Sequence, residues 1–147
     1  MPQIRALGVE ALPAMLLVEQ QAHPTPWSEA LLASNFGERY LNLGLWQDAQ
    51  LVGFCIADKL LDESTLYNIC LLPSSREKGW GRLLLEHYLA LTQQLGCQQW
   101  WLEVRCSNLV AQQLYLRVGY QQVGVRKGYY QTQNGREDAL VMQRTLC

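Results

Sequence analysis

The sequence predicts one α/β domain (α+β in some schemes), on three observations. Helical periods alternate with short apolar runs of strand length, one strand passes through a glycine-bearing basic loop into a long amphipathic helix, and 147 residues suffice for a single core. A chain of this length buries about 68–70% of its unfolded surface, so residues 1–147 are expected to form one domain without staples. Hydrophobic residues make up 49% and charged residues 17%, and 12 Lys+Arg stand against 13 Asp+Glu for a net charge of -1. That balance excludes intrinsic disorder and a broad basic face for nucleic acid. The longest uninterrupted apolar stretch, residues 14–18, is far short of the roughly 18 residues that span a bilayer. Residues 1–8 hold one Arg and no apolar signal region, so the expected address is the cytoplasm, with no membrane partner.

Residues 9–22 set Val9, Leu12, Met15, Leu16 and Ala22 on a helical period, which His23-Pro24-Thr25-Pro26 ends. Ser28 is a good N-cap for a second helix that runs through Glu29-Ala30-Leu31-Leu32-Ala33 toward Gly37, and Trp27 stands in position to staple it. Residues 41–46 and 51–57 flank Gln47-Asp48-Ala49-Gln50 and read as a β-hairpin, followed by a strand over residues 65–72 that Pro73 stops. Over residues 81–95, Leu84, Tyr88, Leu91 and Leu95 make one stripe, flanked by Leu85 and Leu89, before Gly96. Residues 100–104 are apolar except at Glu103, as expected of a strand covered on both faces. Asn108 caps a helix through Val118, Gly119 ends it, and residues 120–125 and 139–142 read as two last strands around a polar loop over 131–136. The expected order is β, two helices, three strands, helix, strand, helix, two strands. There is no internal repeat, and the Gln93-Gln94 and Gln98-Gln99 pairs have no assigned purpose.

Five cysteines, an odd number with no C-x-x-C pair, read as reduced thiols. The two histidines, His23 and His87, stand far from every cysteine in sequence, so no metal site is expected.

Between the third strand and the long helix lies Pro73-Ser74-Ser75-Arg76-Glu77-Lys78-Gly79-Trp80-Gly81-Arg82. A helix start offers free N–H groups and a positive dipole end, and glycines let backbone close around an anion, so this loop suits a phosphate or pyrophosphate. It lacks both the Walker A and the Rossmann pattern, which argues against ATP and NAD. An ordinary basic turn fits the same residues.

Arg76-x-x-Gly79-x-Gly81, placed between a strand and a long helix, resembles the R/Q-x-x-G-x-G/A segment of the acetyl-CoA-dependent GNAT N-acetyltransferases. Further stretches resemble one branch, the RimI-type ribosomal-protein-alanine N-acetyltransferases: Pro26-Trp27-Ser28, Gly37-Glu38-Arg39-Tyr40, Trp101-Leu102-Glu103-Val104-Arg105, Ser107-Asn108, Ala111 with Leu114-Tyr115, Gly119-Tyr120 and Gly135-Arg136-Glu137-Asp138-Ala139. Cys70 and Leu72 depart from an expected small and an expected acidic residue, and Trp80 is bulkier than usual.

The resemblance implies a GNAT acyl-CoA N-acyltransferase fold, with a mixed, mostly antiparallel sheet flanked by helices and splayed near the cofactor. It implies acetyl-CoA as cosubstrate and no metal. Main-chain groups of Ile69, Cys70 and Leu71 would pair with the pantetheine arm like an added strand. Arg76, Glu77, Lys78, Gly79, Trp80, Gly81 and Arg82 would cradle the pyrophosphate, and Asn108 would reach the cofactor or simply cap its helix. Glu103 would be the general base, its pKa raised by desolvation; the alternative is a structural pair with Arg105, two positions along on the same face. Tyr115 would be the general acid for the CoA thiolate, the alternative being a core aromatic with a satisfied hydroxyl. The implied substrate is the N-terminal alanine of a small-subunit ribosomal protein, the eighteenth, with Asp62-Glu63 or Glu137-Asp138 drawing its basic segment. Another peptide or small amine would serve the same residues, and a non-catalytic acyl-CoA-binding module is the remaining rival. Direct nucleic-acid contact is not expected, and the oligomeric state is open, a monomer included.

Overall fold

The computed structural model describes residues 2–146. Strand β1 (Gln3–Ala6) leads into a 3-10 turn over Val9–Ala11 and helices α1 (Leu12–Ala22) and α2 (Glu29–Ala33). Pro13 at the start of α1 suits its first turn, where no N–H is needed. Val9 therefore precedes the helix and is 61% exposed, while the predicted Met15 is buried, Leu12, Leu16 and Ala22 pack against the core half-buried, and Val18 and Glu19 complete the buried stripe. Ser28 caps α2 by accepting the Leu31 N–H at 3.1 Å, and the helix ends at Ala33, short of Gly37.

Strands β2 (Tyr40–Gln47) and β3 (Gln50–Asp58) form the predicted hairpin, closed by a turn in which Asp48 has a φ of 55°. Next come β4 (Glu63–Leu71), α3 (Trp80–Gln94), β5 (Gln99–Arg105), α4 (Leu109–Arg117), β6 (Gln121–Thr132) and β7 (Gly135–Thr145). The two last strands extend well past the predicted segments. The residues added to β6 are mostly polar or exposed because β6 is an edge strand, and an edge needs no apolar alternation.

The seven strands form one sheet in the order β1-β2-β3-β4-β5-β7-β6. Only β4 and β5 are parallel, so the sheet is mixed and mostly antiparallel. One face carries α3 and α4 over a core that includes Leu84, Leu85, Tyr88, Trp100, Leu102 and Tyr115. The other carries α1 and α2 over Met15, Val18, Leu32, Phe54 and Ile56. Leu95, predicted on the buried stripe of α3, is its exposed C-cap, and Thr92 takes the inward place. No helix among the described residues is long and apolar enough to cross a membrane.

Candidate active site

The parallel pairing of β4 with β5 ends at Leu66 opposite Leu102. Beyond it Asn68 to Leu71 pair only with β3, and Glu103 to Arg105 only with β7. The sheet therefore opens into a gap lined by one free backbone edge of β4, where Ile69, Cys70 and Leu71 lie. A bulge helps to shape it: Ile56 faces Asn68 while Ala57 faces Leu66, so Tyr67 is the extra residue. The inserted residue turns Asn68 and Cys70 toward the α1 side.

Below the gap the chain turns into α3 through the glycine-bearing loop. The first bond of the helix runs from the Leu83 N–H to the Gly79 carbonyl, 3.0 Å, which leaves the N–H groups of Trp80, Gly81 and Arg82 free of the helix ladder. Gly79 is the N-cap with a φ of +78°, and Glu77 also has positive φ, at 65°. A Cβ on Gly79 would meet nothing within 4 Å, so its need for glycine is torsional and not steric. The three cations have distinct partners. Arg76 donates to the Ala22 carbonyl at the C-terminus of α1, 2.8 Å, Lys78 lies 4.8 Å from the centre of the Trp80 ring, and Arg82 pairs with Glu86 at 3.5 Å on the surface.

Strand β5 alternates, with Trp100, Leu102 and Val104 buried and Trp101, Glu103 and Arg105 half-buried. This corrects the expectation of a strand covered on both faces: the second face of β5 borders the opened gap, which leaves a carboxylate room there. Glu103 is not paired with Arg105. Its two oxygens accept from Arg126 of β6 at 3.0 and 3.1 Å, and its carbonyl accepts the Tyr130 hydroxyl at 3.2 Å. Arg105 instead meets Glu137 at 3.3 Å and donates to the Thr25 hydroxyl at 2.9 Å, so this face of β5 looks toward the loop between α1 and α2. Hydrogen bonds from Ser107, the largest cause, hold the Glu137 carboxyl below the usual range. Glu137 is thereby committed to loop structure, as is Asp138, whose Oδ1 accepts the Gly128 N–H at 2.9 Å. Glu63, of the other acidic pair, accepts the Trp101 indole N–H at 2.7 Å.

Tyr115 lies on the opposite face, buried in the α3–α4 core, edge-on to Tyr120 at 5.8 Å between ring centres. Burial pushes its phenol well above the ordinary value of about 10, so it is protonated at neutral pH. Its hydroxyl makes no hydrogen bond to the described residues, unlike a satisfied core tyrosine. Asn108 caps α4, accepting the Ala111 N–H at 3.2 Å.

Sequence reasoning missed a buried polar cluster beside the gap. Glu19, fully buried, accepts the Trp27 backbone N–H at 2.9 Å and the Asn68 side-chain amide N–H at 2.8 Å, and His23 Nε2 lies 3.2 Å from the Asn68 side-chain oxygen Oδ1. These bonds moor the segment between α1 and α2 to β4. Glu19, His23 and Cys70 offer ligand atoms within 4.8 Å of one another, a proximity that spacing along the chain could not show. Hydrogen bonding accounts for this arrangement, since both Glu19 oxygens already accept N–H donors. Burial, the largest cause, and the Glu19 carboxylate push the Cys70 thiol up, which makes it a poor thiolate ligand. A carboxylate at i+4 from Met15 on a buried stripe was the available signal. Cys55, Cys70, Cys97 and Cys106 are free thiols, while Cys147 lies outside the described residues.

The site is thus a parallel strand pair splayed beside a helix N-terminus, with a carboxylate on one face and a phenol on the other. The profile of the acetyltransferase (GNAT) family matches residues 9–120, and the chain belongs to that family. It is 45% identical over 142 residues to the ribosomal protein bS18-alanine N-acetyltransferase of Escherichia coli, spanning 97% of this chain and 96% of that one. It is 48% identical over 141 residues to the protein of the same name from Haemophilus influenzae, spanning 95% and 94%. The crystal structure of the ribosomal-protein-S18-alanine N-acetyltransferase from Escherichia coli superposes with a TM-score of 0.96 at 44% identity, over 99% of this chain and 94% of that one.

Proposed function

We propose that residues 1–147 act as one N-acetyltransferase domain in the cytoplasm, moving acetyl from acetyl-CoA to the N-terminal alanine of ribosomal protein bS18. The observation that carries the reaction is the opened gap between β4 and β5, with Glu103 on the α1–α2 face and Tyr115 on the α3–α4 face. The substrate rests on near-full-length likeness to enzymes named for that acceptor.

Acetyl-CoA fits the residues present. The free edge of β4 at Ile69, Cys70 and Leu71 offers main-chain groups to an extended arm, and the outward N–H groups of Trp80, Gly81 and Arg82 suit a pyrophosphate, with Arg76, Glu77, Lys78 and Gly79 shaping the loop. Asn108 keeps its capping role, and its place at the cofactor rests on the family resemblance alone. When bound, this cosubstrate supplies an activated acyl carbon. Glu103 takes a proton from the α-amine, directly or through water, as the amine nitrogen bonds that carbon. Tyr115 gives its proton to the sulfur as the C–S bond breaks. No cysteine need act as nucleophile, and no metal is assigned a role. An α-amine has a pKa of about 7.7–8.0 and a lysine amine about 10.4, so a carboxylate deprotonates the N-terminus more readily.

Gly79→Val keeps room for its side chain but must hold a left-handed φ, at a cost of about 1–2 kcal/mol. Acetyl-CoA affinity is expected to fall roughly 5- to 30-fold by calorimetry. Unchanged affinity in a folded variant would remove the loop from the cofactor site.

The acceptor is tested by offering an alanine-initiated bS18 peptide, the same peptide with its N-terminus blocked and a lysine present, and spermidine. Tandem mass spectrometry is expected to place acetyl on the α-amine of the first. Faster acetylation of either alternative would overturn the substrate while leaving family membership intact.

A further inference from the structure

The ion pair at Glu103 has an unusual form. Arginine commonly grips a carboxylate with two nitrogens side by side. Here one nitrogen, Nη1 of Arg126, reaches both Glu103 oxygens, at 3.0 and 3.1 Å. A single nitrogen nearly equidistant from the two oxygens is shared between them, as an ammonium nitrogen can be.

The surroundings offer Glu103 no other cation among the described residues. Arg105, on the same face of β5, is taken by Glu137 and Thr25. Tyr130 is spent on the Glu103 carbonyl, and the acid Glu137 is turned to Ser107 and Arg105. Arg126 itself is 52% exposed, with its guanidinium 4.0 Å from the centre of the Tyr129 ring, while the Glu103 side chain is 29% exposed. A pair so open to water is a weak one, held by a cation with a second resting place on an aromatic face.

We infer that Arg126 is a specificity-determining positioning residue, whose guanidinium holds in the substrate-free enzyme the place in front of Glu103 that the substrate's α-ammonium takes on binding. This rests on the reading of Glu103 as the group that receives the amine. One cation replaces another, so the carboxylate stays compensated until the amine loses its proton. A neutral N-terminus offers no such exchange. Arg126 thereby sets a threshold that only a cationic N-terminus crosses at little cost.

The test is peptide affinity in the complex with CoA, where no acetyl is present and no chemistry occurs. Arg126→Met keeps an unbranched aliphatic side chain and removes the competing cation. The alanine-initiated peptide is expected to bind about two- to fivefold more tightly to that variant than to wild type. In a Glu103→Gln background the same substitution is expected to leave affinity unchanged, since the neutral amide still accepts a hydrogen bond but no longer draws either cation by charge. A merely structural Arg126 would weaken binding when removed. Weaker or unchanged binding in Arg126→Met, or a gain that persists beside Glu103→Gln, overturns the inference. The turnover of Glu103→Gln alone keeps the two readings apart: normal turnover sinks the base assignment, and impaired turnover with no Arg126 effect sinks only the exchange.

Discussion

Glu103→Gln is expected to slow acetyl transfer by about 10²–10⁴-fold, the range that general base catalysis supplies. The substitution keeps the shape and leaves an amide oxygen that still accepts from Arg126, so the half-buried site where Glu103 of β5 meets Arg126 of β6 across β7 loses its base and little else. The remaining activity should climb with pH as the α-amine loses its proton unaided, through its ordinary value of about 7.7–8.0. Single-turnover rates from about pH 6 to 9 give both the magnitude and the slope. Near-normal turnover across that range would return Glu103 to a structural ion pair with Arg126.

Tyr115→Phe is expected to slow the chemical step by about 10²-fold or more while sparing the fold and acetyl-CoA affinity. Its hydroxyl bonds to none of the described residues, so its removal orphans no partner, and the ring keeps its edge-on contact with Tyr120. Burial drives the phenol's pKa upward, so its proton is present throughout the working range, and a pH limb near neutrality cannot be its own titration. A rapid-quench single turnover reads the step directly. A rate equal to wild type excludes Tyr115 as the proton donor to sulfur.

Much of this molecule is legible from local signals. Ser28 and Asn108 mark the starts of α2 and α4 because short polar side chains satisfy orphan amides over three residues of chain. The period of Leu84, Leu85, Tyr88 and Leu89 defines the inner face of α3 because one stripe must meet the sheet. The loop at residues 76–82 carries its own signature, as Gly79 opens α3 with a left-handed torsion that glycine permits. What failed locally was judged by the wrong neighbour. Val9 fits a helical period, yet the helix begins beyond it; the long polar arms of β6 and β7 look like loop because an edge hairpin need bury neither face.

The sequence by itself determined the order of elements, the family and the residues available for chemistry, because caps, periods and glycine torsions act within a few residues. Only the tertiary structure decided which side chains meet. Glu103 pairs across 23 residues with Arg126 and not across two with Arg105, since the antiparallel hairpin of β6 and β7 sets an arginine before the carboxylate. Glu19 reaches Asn68 across 49 residues because α1 lies on the sheet where the β4 bulge turns that amide inward. The gap itself belongs to neither β4 nor β5. It exists because a parallel pair lets go after Leu66 and Leu102 while each strand is still held by an antiparallel neighbour, a property of the assembled sheet that no single segment encodes.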